Sequence, residues 1–198
     1  MKNNTKSYFN SVASNYTKSS SKGLWNLLRK NEKKKILDLI KNTKFENILE
    51  LGSGSGFYTK YLLSYSKNNI TCVDFSQEML DNINFKNVIK INSNIEYFKA
   101  TQKYDLIFCA GTLEFINDTS KVFTNVKKMM SEDGIFIILV PYRNIWGLIY
   151  KLFHILHGVK INLFTNKKIR HYSASSGLGV IEIKKAFPFS RCYLFKII

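Results

Sequence analysis

Residues 48–62 read Ile48-Leu49-Glu50-Leu51-Gly52-Ser53-Gly54-Ser55-Gly56-Phe57-Tyr58-Thr59-Lys60-Tyr61-Leu62. A short apolar run over 45–51 stops at a glycine cluster, and residues 56–64 continue with Tyr58, Tyr61, Leu62 and Leu63. An apolar run bounded by glycine predicts a buried strand, and the following segment predicts a helix. Gly52 and Gly54 permit a tight turn and let a ligand approach the backbone closely. Taken alone, the same pattern is also a plain strand-to-helix turn.

Working outward, strand-like and helix-like segments alternate. Residues 69–74, 87–91, 104–110 and 134–141 predict further strands. Residues 76–83 predict a helix with Ser76 as N-cap and Glu78 in its first turn, and residues 118–130 one opened by Asp118. Upstream, residues 26–41 carry Leu27, Leu28, Ile36, Leu37, Leu39 and Ile40 at roughly helical spacing. Near-continuous apolar strands alternating with helices predict a parallel sheet covered on both faces. Residues 180–186 and 192–198 are also strand-like. The link between them is too short for a crossover, so they pair antiparallel. The expected fold is α/β: a Rossmann-like, doubly wound, mostly parallel seven-stranded sheet with an antiparallel last strand.

Two details sharpen the glycine segment. A dinucleotide fingerprint requires GxGxxG, but the spacing here is GxGxG, and Phe57 stands where the last glycine belongs. Glu50 closes the strand beside the expected ligand. A carboxylate there repels a pyrophosphate and suits a cation, by roughly 1–4 kcal/mol at close range. S-adenosylmethionine carries both a sulfonium and an ammonium. Asp74 ends the second strand, 22 residues after Gly52, where an acid accepts hydrogen bonds from ribose hydroxyls or caps the next helix.

ILELGSGSGFYTKYL (48–62) followed by ITCVDFSQEML (70–80) resembles motifs I and II of the class I S-adenosylmethionine-dependent methyltransferases. YDLIFCAGTLEFIND (104–118) and GIFIILVP (134–141) resemble the fourth- and fifth-strand motifs. These motifs lie within residues 45–141, about half the chain. The resemblance implies S-adenosylmethionine as cofactor. It places Gly52, Ser53 and Gly54 along the methionine moiety, with Glu50 toward its ammonium. Asp74 then holds the ribose, and Phe75 and Met79 pack on adenine and ribose. Asn94 with the Ile95 backbone is the looser match for the adenine amine, and Cys109, Ala110 and Gly111 lie near the sulfonium. Phe115 stands where many small-molecule relatives have a histidine, so no catalytic role carries over there. Residues 8–16, YFNSVASNY, resemble the opening of quinone and small-molecule methyltransferases, where it covers the cofactor; an ordinary amphipathic segment reads the same way.

The chain has 198 residues, 30 basic against 14 acidic, and a net charge of +16. That length predicts one domain: an N-terminal helical cover over 1–44, a cofactor core over 45–141, and a substrate-facing insertion with the last two strands over 142–198. The charge sits at both ends, +8 over residues 1–47 and +9 over 141–198, with −1 between. It fits an anionic partner, such as a charged metabolite, a membrane surface or nucleic acid. It equally fits lysine drift in an AT-rich genome, with 26 Lys against 4 Arg. Cys72, Cys109 and Cys192 lie in apolar runs without ligand spacing, which predicts buried thiols, no metal and a reducing cytoplasmic setting, at a membrane periphery if the charge is used there.

Residues 145–157, IWGLIYKLFHILH, predict a helix whose positions Gly147, Lys151, His154 and Gly158 form one narrow polar stripe. The remaining surface is apolar. Such a helix is buried in the core, roofs an apolar pocket, or rests on a membrane. His154 and His157 read as parts of that stripe or as acid–base groups; Glu114 faces substrate or opens a turn. The catalytic residues stay unassigned. The leading expectation is methyl transfer to the O or C of a small hydrophobic or amphiphilic metabolite. The alternatives are a nucleic-acid methyltransferase, supported by charge but lacking the proline-containing amine-gripping loop after the fourth strand, and a non-catalytic S-adenosylmethionine-binding protein.

Overall fold

The computed structural model describes residues 23–198, so the opening segment 8–16 lies outside the described residues. The apolar runs form strands β1 (Ile48–Leu51), β2 (Ile70–Asp74), β3 (Val88–Asn92), β4 (Tyr104–Ala110), β5 (Met130–Pro141), β6 (Leu178–Ala186) and β7 (Ser190–Ile197). They make one seven-stranded sheet in the order β3-β2-β1-β4-β5-β7-β6. β1 to β5 run parallel, and β7 inserts antiparallel between β5 and β6. This is the doubly wound, Rossmann-like arrangement expected from the alternation of segments.

Strand alternation sends successive side chains to opposite faces. In β4, Leu106 and Phe108 join Ile36, Leu62 and Leu80 on one face. Ile107 and Cys109 join Val122, Phe123, Val126 and Ile169 on the other. The first face is covered by α1 (Gly23–Leu37), α2 (Thr59–Leu62) and α3 (Gln77–Asp81), the second by α4 (Thr119–Met129) and α6 (Asn166–Ser175). Burial on both faces explains why these strands read as unbroken apolar runs. α5 (Ile145–Leu156) belongs to neither core cluster.

The caps fall where their side chains predicted them. Ser76 accepts from the Met79 N–H at 3.2 Å, and Asp118 from the Lys121 N–H at 3.0 Å. Three elements depart from the sequence expectation. The helix predicted from Gly56 starts only at Thr59, because Gly56 holds φ at +82° and a right-handed turn cannot begin there. β5 begins at Met130 rather than at Gly134, since Met130 already pairs with Tyr104. α6 was not anticipated; it is capped by Thr165 and buries only Ile169 and Ser173, too sparse an apolar pattern to stand out.

Phe123 anchors the α4 face: it is fully buried, with its ring centroid 5.4 Å from both Phe136 and Phe195. Phe123→Ala is expected to destabilise the fold by about 3–5 kcal/mol. A lowered urea midpoint at unchanged slope checks this.

Candidate active site

The sheet order reverses between β1 and β4, and in such folds ligands bind in the crevice at the carboxyl ends of the strands. The glycine turn after β1 forms one wall. Gly52 and Ser53 donate their N–H groups to the Val73 carbonyl at 2.7 and 3.2 Å. Gly52 has φ +71°, and a Cβ there would lie 2.2 Å from Thr112 Oγ1. The Thr112 hydroxyl in turn donates to the Gly52 and Ala110 carbonyls, both at 3.2 Å. The turn after β4 is therefore pressed against the turn after β1, and only glycine fits between them.

Asp74 is buried at the end of β2. One carboxylate oxygen accepts from the Gly54 N–H at 2.9 Å, the other from the Ser76 N–H at 3.0 Å. Burial raises its pKa, and these backbone donors oppose the rise. Each carboxylate oxygen has lone-pair capacity for a further donor. Asp74 thus holds the glycine turn in shape while its carboxylate lines the cavity.

The cavity encloses about 370 Å³, within the range of small-molecule sites. Gly52, Ser53, Gly54, Asp74, Phe75, Met79 and Ala110 line it, as does Gly111. The other residues marked from sequence do not. The Glu50 side chain is buried beneath the turn, its Oε2 accepting from the Thr59 hydroxyl at 2.6 Å, and burial pushes its pKa up to about 8. Asn94 caps a turn by accepting from the Glu96 N–H at 2.9 Å, and Ile95 packs in the core. Cys109 points into the α4 face, since its strand neighbour Ala110 takes the opposite direction toward the cavity.

The rest of the wall comes from Glu114 and the 145–157 helix, for which the sequence left a substrate-facing role open, and from positions to which it gave no role. α1 contributes Leu28, Arg29 and Glu32. Glu32 accepts from the Ser190 hydroxyl at 2.5 Å, and Arg29 lies over the Phe57 ring at 4.5 Å. α5 and the β6–β7 turn contribute Tyr150, Phe153, His154 and Phe189. The Tyr150 and Phe189 rings stack at 4.7 Å, and Phe115 meets His154 edge-on at 5.6 Å. Burial pushes His154 down to about 4, so its imidazole is neutral at physiological pH. Glu114 follows β4, is 2 % exposed, and its Oε2 makes no hydrogen bond to the described residues. Burial pushes it up to about 8. In a chain with twice as many basic as acidic residues, the cavity wall carries three carboxyl groups, Glu32, Asp74 and Glu114, against one guanidinium, Arg29.

The polar stripe of α5 is present, but the helix is turned the other way from an ordinary amphipathic one. Gly147 and His154 are buried, while Trp146, Leu148, Ile149, Leu152 and Ile155 are exposed. A Cβ at Gly147 would lie 2.1 Å from the Tyr142 carbonyl, so the helix meets the domain through its glycine. Plain core burial of the apolar face does not occur. Tyr150, Phe153 and His154 form part of the cavity wall, and the apolar outer face is left to solvent.

Residues 49–138 match the Methyltransferase domain family. Over 95 residues the chain is 35% identical to malonyl-[acyl-carrier protein] O-methyltransferase of Bacillus anthracis, covering 46% of this chain and 35% of that protein. Over 97 residues it is 31% identical to malonyl-[acyl-carrier protein] O-methyltransferase 2 of Ilyobacter polytropus, covering 46% and 38%. The matched region thus spans little more than a third of these relatives' length. In overall shape the chain is similar to the N-methyltransferase NodS of Bradyrhizobium japonicum in complex with S-adenosyl-l-homocysteine (TM-score 0.75, 16% identity, 98% of this chain and 99% of that one). It is likewise similar to the DhpI-SAM-HEP complex (TM-score 0.78, 14% identity, 98% and 96%). Fold, glycine turn and matched segment agree on a methyltransferase domain of the class I, Rossmann-like fold over residues 49–138.

The buried carboxyls give the fold a distinctive pH response. Glu50 and Glu114 each rise from 4.5 to about 8 on folding. The folded state keeps both protons over a range in which the unfolded chain has released them. Stability is therefore fullest below about pH 4.5 with respect to these two groups, declines as pH rises toward about 8, and levels off above it. Glu114→Gln is expected to flatten that decline, measured as the urea midpoint at pH 5.5, 7 and 8.5.

Proposed function

We propose that this chain transfers the methyl group of S-adenosylmethionine to the oxygen, or less readily to a carbon, of a small hydrophobic or amphiphilic acceptor. The observation that carries this reading is the mixed lining of the cavity: the glycine turn and Asp74 share it with the aromatic group Phe115, Tyr150, Phe153 and Phe189 and with the Glu114 carboxyl. The preference for oxygen is supported by the likeness to O-methyltransferases over residues within the matched half.

The residues present fit the cofactor. Glu32, Asp74 and Glu114 suit a ligand bearing a sulfonium and an ammonium, and the Gly52–Gly54 backbone leaves room for close approach. When bound, S-adenosylmethionine supplies a methyl group on a positively charged leaving group. Asp74 would receive hydroxyl hydrogen bonds from the ribose, and Phe75 and Met79, which line the same cavity, would pack beside it. Glu50, hydrogen-bonded to Thr59 beneath the turn, braces the turn from below without touching the ligand. The aromatic group orients the acceptor and excludes water, which for a methyl displacement accounts for much of the rate.

Glu114 is the candidate base. Its Oε2 is buried without a hydrogen-bond partner among the described residues, and its pKa of about 8 lies close to working pH, which favours proton exchange. A hydroxyl acceptor loses its proton on methylation, and the Glu114 carboxylate would take that proton while the sulfonium leaves as the neutral thioether. His154, neutral beside Phe115, lines the same cavity.

Calorimetry is expected to show binding of S-adenosylmethionine and none of NAD; tight NAD binding would overturn the reading. Asp74→Ala is expected to weaken cofactor binding by roughly 2–4 kcal/mol, the loss of two hydrogen bonds to an ionised group. Glu114→Gln is expected to keep cofactor affinity and lower turnover by about 10²–10⁴. It should also abolish a rate increase that the native chain shows as pH rises through about 8. Cofactor binding with no methyl transfer to any component of a metabolite extract would instead point to a non-catalytic binding protein.

A further inference from the structure

α5 carries its hydrophobic surface outward. Ile145, Trp146, Leu148, Ile149, Leu152, Ile155 and Leu156 are between 46% and 76% exposed on a helix of 12 residues. Phe187, at the tip of the β6–β7 hairpin, is 70% exposed. The hairpin is fastened to the helix: Asn144 Nδ2 donates to the Pro188 carbonyl at 2.9 Å, and Phe189 stacks on Tyr150. Helix and hairpin tip are thus held together as one surface element. An apolar surface of this kind on a water-soluble fold marks a contact site.

The charge around it selects the partner. No acidic residue occurs between Asp133 and Glu182, whereas Arg143, Lys151, Lys160, Lys167, Lys168 and Arg170 all fall in that interval. Arg143 and Lys160, just before and just after the helix, are exposed, and Lys151 on the helix is partly so. A symmetric contact with a second copy would set this apolar face and its basic flanks against themselves, with repulsion and no compensating acid. A helix of this length is about 18 Å long, too short to cross a bilayer, and among the described residues no helix is long and apolar enough to do so. Protruding Trp, Leu, Ile and Phe side chains flanked by cations suit the interfacial region of an anionic membrane.

We propose that the outer face of α5, with Phe187 beside it, docks the protein on an anionic lipid bilayer. Tyr150, Phe153 and His154 of the same helix line the cavity, so docking would bring this part of the cavity wall to the lipid surface. An amphiphilic acceptor could then pass from the bilayer into the site without crossing water. That consequence rests on the methyl-transfer reading; the docking itself does not.

Sedimentation of the full chain, without cofactor or acceptor, with phosphatidylcholine vesicles and with vesicles containing phosphatidylglycerol separates the two. The native chain is expected to sediment with the anionic vesicles, more weakly with the neutral ones, and less as salt is raised. Ile149→Ser with Leu152→Ser is expected to weaken binding at least tenfold, since two large apolar contacts with lipid are lost. Lys151→Gln with Lys160→Gln is expected to cost roughly fivefold per lysine toward anionic vesicles only. Unchanged thermal unfolding in both variants shows that the loss is in docking. If the native chain stays in the supernatant with both lipids, or the serine variant sediments like the native chain, the proposal is overturned. A concentration-dependent dimer in sedimentation velocity, abolished by the serine variant in a chain that ignores vesicles, would assign the face to a second copy. Vesicle binding depends on none of the cofactor residues, so its failure leaves the methyltransferase reading intact.

Discussion

The contact between Thr112 and Gly52 is the constraint around which the site is arranged. Two turns, one after β1 and one after β4, meet where the sheet order reverses, and the Thr112 hydroxyl bridges them through both carbonyls. A side chain at residue 52 would occupy the space of the threonine, so the close approach exists only because that position has none. Asp74 then fixes the far side of the glycine turn through the Gly54 N–H. With both turns held, Gly111 and Glu114 line the same cavity as the glycine turn. The cavity is a consequence of strand order, and its chemistry is a consequence of which residues end the strands.

That chemistry runs against the charge of the chain. The surface is strongly basic, yet the buried ionisable groups around the crevice are mainly carboxyls. Burial disfavours their charged forms, which is why Glu50 and Glu114 rise to about 8. A cationic ligand reverses this penalty locally, because it restores the ionised form of the groups facing it. The acidic wall therefore weakens the empty fold at alkaline pH and suits it to a positively charged guest. Such trade-offs between stability and function are common where polar groups line a site.

α5 shows the limits of periodicity. Its sequence has an apolar face and a polar stripe, and the usual inference sends the apolar face inward. Here Gly147 and His154 of the stripe go inward, because Gly147 lets the backbone of the helix sit against the Tyr142 carbonyl and Asn144 ties its start to the hairpin. His154 completes the buried side against Phe115 and Tyr150. The apolar side chains are left outside by geometry, and their cationic flanks come with them.

The sequence by itself determined the sheet, its parallel core and antiparallel end, the glycine turn and the acid after β2. These follow from local signals: apolar runs of strand length, glycines at a strand end, and caps at Ser76 and Asp118. Period-two alternation told which residues are buried but not which of the two faces each would take, so Cys109 and Ala110 could be named together while only Ala110 reaches the cavity. Glu50 and Asn94 were legible as polar groups near a ligand turn, yet their side chains are engaged by Thr59 and by the turn at Glu96. What tertiary structure alone decided is the meeting of the remaining wall residues. Arg29, Glu32, Glu114, Tyr150, His154 and Phe189 are scattered over the chain and carry no common spacing. They meet because α1 and α5 flank the crevice and β7 returns antiparallel beside β5, and no local pattern encodes that meeting.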